Sequence, residues 1–536
     1  MKKITALILT LVLALSLLPA MAAPAIDTLI IGTVAPIESA ARDEYNYDVL
    51  SASTSQMALI SLNADGRFEP LLADYSTQDA RVWSFTIREG MQWHDGQPVT
   101  ASDVAYTLQY EDTFGNGTWL RSVTDENGKT TAATFEACEL SGDDRTITLM
   151  LSAANVRALS NLLVLRVMPR HIYEGREEAV TADESRVGCG PYRFAGFDKN
   201  AGAITFTAVE DHPMGTPNVK NLIYVLYNNE DTLYLALKNH EIDMIWKYSG
   251  GISAEAEALF AADDSVALLS YASTNAPAML TFNNSKGPFA DPYMREAVAY
   301  ALDYDLFKST FGSSFAAAPN RSFVPPSTVG FIATPALTRD LDRSAAMLAA
   351  LGYTQKNANG YFELNGEELG FTLTVNSTKA AHVRYAEMVK NNLAEAGINV
   401  TIEALDADGY NARTSNKFSE NNITMEAAIF GYTAFGMAGG AGLGSMYMDA
   451  AHAVQGGAQV SDPAFRSALS AMTSAADMDT YNAGAAALQQ FYADSLPAIA
   501  LYWDATVVAY NAALTGIQVD ATFGIFNYNT WYSVTR

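Results

Sequence analysis

Side chains able to do chemistry are sparse in this 536-residue chain, and their spacing suits few reactions. The six histidines are His94, His171, His212, His240, His382 and His452. No two stand at the i, i+4 spacing with which one helix face holds zinc, so they read as scattered surface or turn residues. No GxSxG places a serine on a nucleophile elbow. The run Gly436-Met437-Ala438-Gly439-Gly440-Ala441-Gly442-Leu443-Gly444 is as glycine-rich as a phosphate loop. It lacks the Lys-Ser/Thr that would meet phosphate and magnesium, and reads as a loop lining a cleft. Among 59 carboxylates some pairs will meet by chance, so a glycosidase-like dyad stays open, though no pattern selects one. Cys138 and Cys189 are the only cysteines. They either pair as a disulfide in an oxidising compartment or stand apart as two small buried residues. Neither belongs to a CxxC pair or a metal knuckle. No catalytic residue, metal site or cofactor is expected.

The elements that would position any site mix strand and helix, with no repeat period and no long linker. Thr28 to Val34 reads as a first strand, and Val82 to Arg88 alternates two faces as a strand does. Thr100-Ala101-Ser102-Asp103 has the form of a capping box opening a helix through Val104 and Leu108. Tyr192 to Val209 reads as a hairpin about Lys199-Asn200-Ala201-Gly202. Phe371, Leu373 and Val375 alternate; Val383, Ala386, Val389 and Leu393 follow at helical spacing. Gly397 then stands where a helix stops, and Val400 and Ile402 resume the strand period. That is a β-α-β unit with a right-handed crossover. The fold class is α/β, mixed α+β, in several lobes.

Composition sets the compartment and excludes partners. Met1-Lys2-Lys3, the apolar run Ile4 to Leu18, Pro19 and Ala20-Met21-Ala22 together form a signal peptide cleaved near Ala22. The run is short for a bilayer span of roughly 20 residues, which leaves a retained anchor helix as the lesser reading. Positions 19 to 25 hold no lipobox Cys. The net charge of −26 repels phosphate backbones, so nucleic acid is not an expected partner. A chain this long exceeds one hydrophobic core, and 49% hydrophobic residues exclude disorder.

Between Glu69 and Tyr110 the sequence becomes specific. Glu69-Pro70-Leu71-Leu72-Ala73 precedes Trp83-Ser84-Phe85-Thr86-Ile87-Arg88-Glu89-Gly90-Met91-Gln92-Trp93-His94-Asp95-Gly96, then Pro98 and Thr100 through Val104. This resembles the signature of extracellular solute-binding protein family 5, the oligopeptide- and dipeptide-binding class of peptide/nickel ABC importers. Gly188-Cys189-Gly190-Pro191-Tyr192 resembles the family's G-T-G-P-Y, with Cys in the Thr place. Glu241-Ile242-Asp243, Pro288-Phe289-Ala290-Asp291 with Arg295-Glu296-Ala297, and Ala346-Met347-Leu348 through Gly352 follow in the family's order.

The resemblance implies a two-lobed, periplasmic-binding-protein-like fold with an extra domain and a discontinuous first lobe. Its expected divisions are a signal peptide at 1–22 and a first lobe from 23–62, 188–277 and 506–536. The additional domain would be 63–187 and the opposing lobe 278–505. It implies a monomer, periplasmic or at the cell surface, that closes on a small molecule or short peptide and delivers it to an ABC permease with its ATPase subunits. A secreted glycan- or peptide-acting hydrolase, or a ligand-sensing receptor on the same fold, are the alternatives. In peptide-binding relatives an Asp in an aromatic-rich stretch meets the ligand's ammonium. The corresponding stretch, Ala428 to Gly436, has no carboxylate, though it offers Tyr432 and Phe435. Further candidates are Tyr45 and Tyr47 after the first strand, Trp246, Lys247 and Tyr248 near a lobe crossing, and Tyr502, Trp503 and Asp504 where the chain returns to the first lobe.

Overall fold

The computed structural model describes residues 26–536 except 43, 64–65, 116, 125–129, 132, 248–250, 273–274, 327, 417, 420–421, 434–455 and 521–522. The expected export segment and the whole glycine-rich run 436–444 lie outside the described residues. Among the described residues no helix is long and apolar enough to cross a membrane.

Two large sheets organise the chain. The first has β1 (Ile26–Thr33) at its centre, the first strand among the described residues, as its run of Leu29, Ile30 and Ile31 predicts. Four later strands, β2 (Ala73–Thr77), β3 (Val82–Ile87), β4 (Ala137–Leu140) and β5 (Thr146–Met150), form a separate four-stranded sheet in the order β2-β3-β5-β4. The chain then returns with β6 (Tyr192–Asp198), β7 (Ala203–Ala208), β8 (Val219–Leu226), β9 (Met244–Ile245) and β10 (Val266–Ala272). The second large sheet uses β11 (Asn275–Phe282), β12 (Gly370–Asn376), β13 (Asn399–Leu405), β14 (Ala427–Thr433) and β15 (Ala498–Ala500), before β16 (Ala505–Asn511) rejoins the first. The orders are β6-β7-β8-β1-β9-β16-β10 and β13-β12-β14-β11-β15. β1 runs parallel to both neighbours, so both its faces are covered; Leu29 and Ile31 are fully buried.

The local patterns read from sequence recur as built. β6 and β7 pair antiparallel around Gly202, whose φ of +60° suits the turn. β12, a helix at Ala380–Glu395, and β13 form the parallel β-α-β unit, Phe371 opposite Val400, with Gly397 at φ +85° ending the helix. Thr100 caps the helix Ala101–Thr113 in a capping box, its amide 2.8 Å from Asp103 Oδ2. The same buried carboxyl group accepts the Trp93 indole N–H (3.2 Å) and the Arg170 amide (2.8 Å), so the cap also ties down the signature loop.

One continuous apolar core joins the first sheet to the four-stranded sheet, from Leu29 and Tyr192 through Phe85, Trp93 and Ile147. A separate core lies under the second sheet, around Phe282, Phe289 and Phe371. The chain passes between the sheets twice, from β10 to β11 and from β15 to β16. The second crossing is tied to the second unit: the Leu501 amide donates to Ala278 O, and Trp503 and Ala317 exchange backbone hydrogen bonds.

Of the two readings left open for the cysteines, the unpaired one is found: Cys138 and Cys189 are free thiols. Cys138 lies on the edge strand β4, whereas Cys189 is fully buried between two glycines. Those glycines are required by space. A Cβ at Gly188 would lie 1.9 Å from Ser55 O, and one at Gly190 would lie 2.3 Å from Thr54 O. The two signature stretches meet here. His94 Nε2 lies 2.9 Å from Gly190 O, the His94 amide donates to Gly188 O, and the Gly188 amide donates to His94 Nδ1.

Candidate functional site

A cavity of about 580 Å³ opens where the loop after β1 faces the additional β-sheet region. Its wall comprises Arg42, Asp48, Tyr110, Glu111, Phe114, Gly115, Gly117, Trp119, Val164, Leu165 and Arg166. The size is that of small-ligand sites, and the mix of aromatic faces with a few charged groups is their usual make-up.

Three stretches position this wall. A short helix, Tyr45–Ser51, presents Asp48. The helix Ala101–Thr113 carries Tyr106 and Tyr110 at i, i+4, and Phe114 follows at the same step just past its end. Their rings form a ladder, 6.2 Å between Tyr106 and Tyr110 and 5.0 Å between Tyr110 and Phe114. Tyr173 meets Tyr110 edge-on at 5.8 Å. Buried Asp112, beside this face, accepts the backbone amides of Trp119 and Leu120, holding the next loop against the helix end. Trp119 in turn stacks on Phe135. The third stretch is Val164 to Arg166, which follows the 3-10 helix Ala158–Leu163.

Charge is arranged unevenly in the wall. Arg166 Nη2 lies 2.6 Å from Asp48 Oδ2, and its Nη1 donates to Val164 O at 2.7 Å. Burial pulls the Arg166 guanidinium below its ordinary pKa, and the nearby Asp48 charge opposes that pull. Arg42 donates from Nη1 to Gln56 Oε1 (2.8 Å) and from Nη2 to Arg166 O (3.0 Å). Two guanidiniums thus share one wall with two carboxylates, Asp48 and Glu111. Two buried donors of this wall, Arg166 Nε and Trp119 Nε1, have no hydrogen-bond partner among the described residues. Such donors are stabilised by an acceptor such as a carboxylate oxygen. Among the described residues no three His, Cys, Asp or Glu gather as a metal-holding group.

Those of the residues singled out from sequence whose side chains are described do not line this cavity. Tyr47 shares the helix of Asp48 but points into the core, fully buried and stacked on Phe206 at 6.1 Å. Trp246 is buried in the same core. Lys247 pairs with Glu230 at 2.6 Å. Tyr502 and Trp503 are buried at the second crossing, Tyr502 OH lying 3.0 Å from Tyr385 OH. Asp504 accepts from the Ser313 hydroxyl (2.5 Å) and amide (3.2 Å), fastening that crossing. The side chains of Tyr45 and Tyr432, and the whole of Tyr248 and Phe435, lie outside the described residues. Sequence reading missed Arg42, Asp48 and Arg166. The available signal was Arg166 alone within the apolar run Leu162 to Met168, where a charge must have a partner.

The sequence model for bacterial extracellular solute-binding proteins, family 5 Middle, matches residues 67–450. The chain belongs to this family. Among the relatives of this solute-binding protein is the probable peptide-binding protein YejA of Agrobacterium fabrum, 24% identical over 428 residues. That match covers 69% of this chain and 65% of YejA, so the chain spans just under two thirds of that relative's length. The nickel-binding periplasmic protein of Escherichia coli is 22% identical over 356 residues, 64% of each chain. The fold matches that of HbpA2 from Haemophilus parasuis with a TM-score of 0.77 at 19% identity, over 95% of this chain and 99% of that one. A family of solute-binding proteins points to binding rather than catalysis.

Proposed function

We propose that this protein is the extracytoplasmic substrate-binding component of an ABC importer. It captures a peptide or peptide-sized solute in a cleft between two lobes and hands it to a membrane permease driven by ATPase subunits. The observation that carries the reading is the match to this family over residues 67–450; the wall with Arg42 and Arg166, built from residues 42–166 alone, would hold the solute on the first lobe's side of that cleft. The two large sheets would be the closing lobes, with 501–504 as one strand of the hinge between them.

The wall suits a solute with a carboxylate and an apolar or aromatic body. The carboxylate would take the unpartnered donors of Arg166 and Trp119, which are buried and would have to be uncovered by it, and the body would lie against Tyr110 and Phe114. A buried ammonium needs a counter-charge, which Ala428 to Gly436 does not hold. Asp48 and Glu111 would supply it, which brings free peptides back within the range of ligands. The similarity to peptide-binding YejA supports this class; the nickel-binding relative keeps a carboxylate-bearing metal complex as the second reading, since the same donors would grip its chelator.

Titration calorimetry with di- to pentapeptides, small polycarboxylates and their nickel complexes tests the proposal. Saturable one-to-one binding with a negative heat-capacity change, the ligand recovered unchanged, is the expected result. Turnover of a bound compound, or silence across all three classes, would count against it.

A further inference from the structure

A few residues before the cavity wall's Val164, the additional domain touches the second lobe. The Val156 amide donates to Ala475 O at 2.7 Å. Val156 packs against two hydrophobic cores at once, the one under the first sheet and the one formed by Phe323, Phe465, Tyr481 and Trp503. Its neighbour Arg157 is buried, with its guanidinium 4.3 Å above the Phe68 ring and 6.0 Å from the Tyr481 ring, while Nη1 and Nη2 both point at Gly66 O. Phe68 and Gly66 belong to the additional domain's side, and Tyr481 to the helix Met478–Ser495 of the second lobe. A guanidinium between two rings is a favourable cation–π arrangement, strengthened by removal from water.

The position of this contact gives it a consequence. Arg157 immediately precedes the 3-10 helix Ala158–Leu163, and that helix ends at Val164, Leu165 and Arg166 of the cavity wall. Ala158, Leu159, Leu162 and Leu163 are buried, so the helix is a packed and stiff link. One end of it meets the opposing lobe and the other carries the arginine facing the cavity.

We infer that Arg157, through Tyr481 and the Val156–Ala475 hydrogen bond, is a clamp holding the additional domain against the second lobe in the closed form, and that the 3-10 helix couples this clamp to the Arg166 wall. The inference rests on the solute-capture reading only for the benefit of closure; the clamp itself is a statement about the equilibrium between open and closed forms. A contact that exists in one form only shifts the equilibrium toward that form by its own free energy. Arg157 is therefore a positioning residue for capture, without touching the ligand.

The test needs no ligand. Spin labels are attached at Leu140→Cys in the additional domain and Leu341→Cys in the second lobe, both exposed, in the full mature chain carrying Cys138→Ser. Pulsed dipolar spectroscopy then reads the separation in ligand-free protein. The expected result is a short-separation population in the wild-type sequence that falls at least threefold in Arg157→Gln and in Tyr481→Leu. Tyr481→Phe, which keeps a ring for the guanidinium, restores most of it. An unchanged distribution in the first two variants, with only a lower melting temperature, would show a fixed structural contact and overturn the clamp. So would a wild-type distribution without the short separation. Failure of solute capture would register in calorimetry and leave these distances untouched, so the two ideas fail separately.

Discussion

Arg166 and Asp48 meet in the cavity wall, guanidinium Nη2 2.6 Å from carboxylate Oδ2, while Nε of the same arginine has no partner among the described residues. The pair is half-satisfied: the Asp48 charge opposes the downward pull of burial on the guanidinium, while Nε stays buried without an acceptor among the described residues.

Replacing Arg166 by Met removes those donors while keeping the stem's bulk. Hydrogen bonds to a charged group contribute about 2 kcal/mol, so affinity for a carboxylate-bearing solute should weaken roughly 30-fold in calorimetry. Asp48→Asn acts in the opposite sense on an anionic solute, because it frees Arg166 from its internal partner. Equal losses in both variants would argue that the pair merely supports the fold.

The Gly188 position makes a sharper stability prediction. Gly188→Ala would drive a methyl group into the Ser55 carbonyl, against backbone that cannot swing away. The first unfolding transition should fall by roughly 4 °C or more, in line with overpacking of about 2 kcal/mol. Gly196→Ala is the control, since a Cβ there meets nothing within 4 Å, and its transition should stay near that of the wild type.

Acid should loosen the junction between the loop carrying His94 and the 188–190 segment. Burial pushes the His94 imidazole from 6.5 down to about 4, the Gly190 carbonyl only partly opposing it, and burial lowers His212 as well. Both rings accept a backbone amide at Nδ1, from Gly188 and Met214, and donate from Nε2 to Gly190 O and Cys189 O, which fixes them as neutral. The unfolded chain takes up protons at an ordinary histidine pKa, before the folded chain does. Stability is therefore complete above pH 6.5 and falls as pH drops toward 4. Urea unfolding at pH 7.5, 5.5 and 4.5 checks this, and His94→Gln should flatten the dependence.

The scaffold was legible in the sequence because its signals are local. The capping box at Thr100, the hairpin about Gly202 and the β-α-β unit ending at Gly397 each lie within about forty residues and follow backbone rules. The cavity is a different kind of object. Arg42, Phe114 and Arg166 come together only once the loop after β1 packs on the additional domain, and no spacing rule joins positions so far apart. On the helix Tyr45–Ser51, Tyr47 turns inward to Phe206 while the less conspicuous Asp48 lines the cavity. Tyr502, Trp503 and Asp504 were read as ligand contacts because they are aromatic or acidic near a lobe crossing. Tyr502 and Trp503 are buried there and Asp504 is held by Ser313, so a ligand role for them stays a proposal.

Native mass spectrometry of the mature protein, purified without denaturation from the host's extracytoplasmic fraction, addresses the central claim most directly. The wild-type chain should carry a single small solute, released with its mass unchanged on denaturation, and Arg166→Met should lose most of that adduct. A wild-type chain that stays empty after incubation with peptides and polycarboxylates, or an adduct retained in full by Arg166→Met, would contradict capture at this wall.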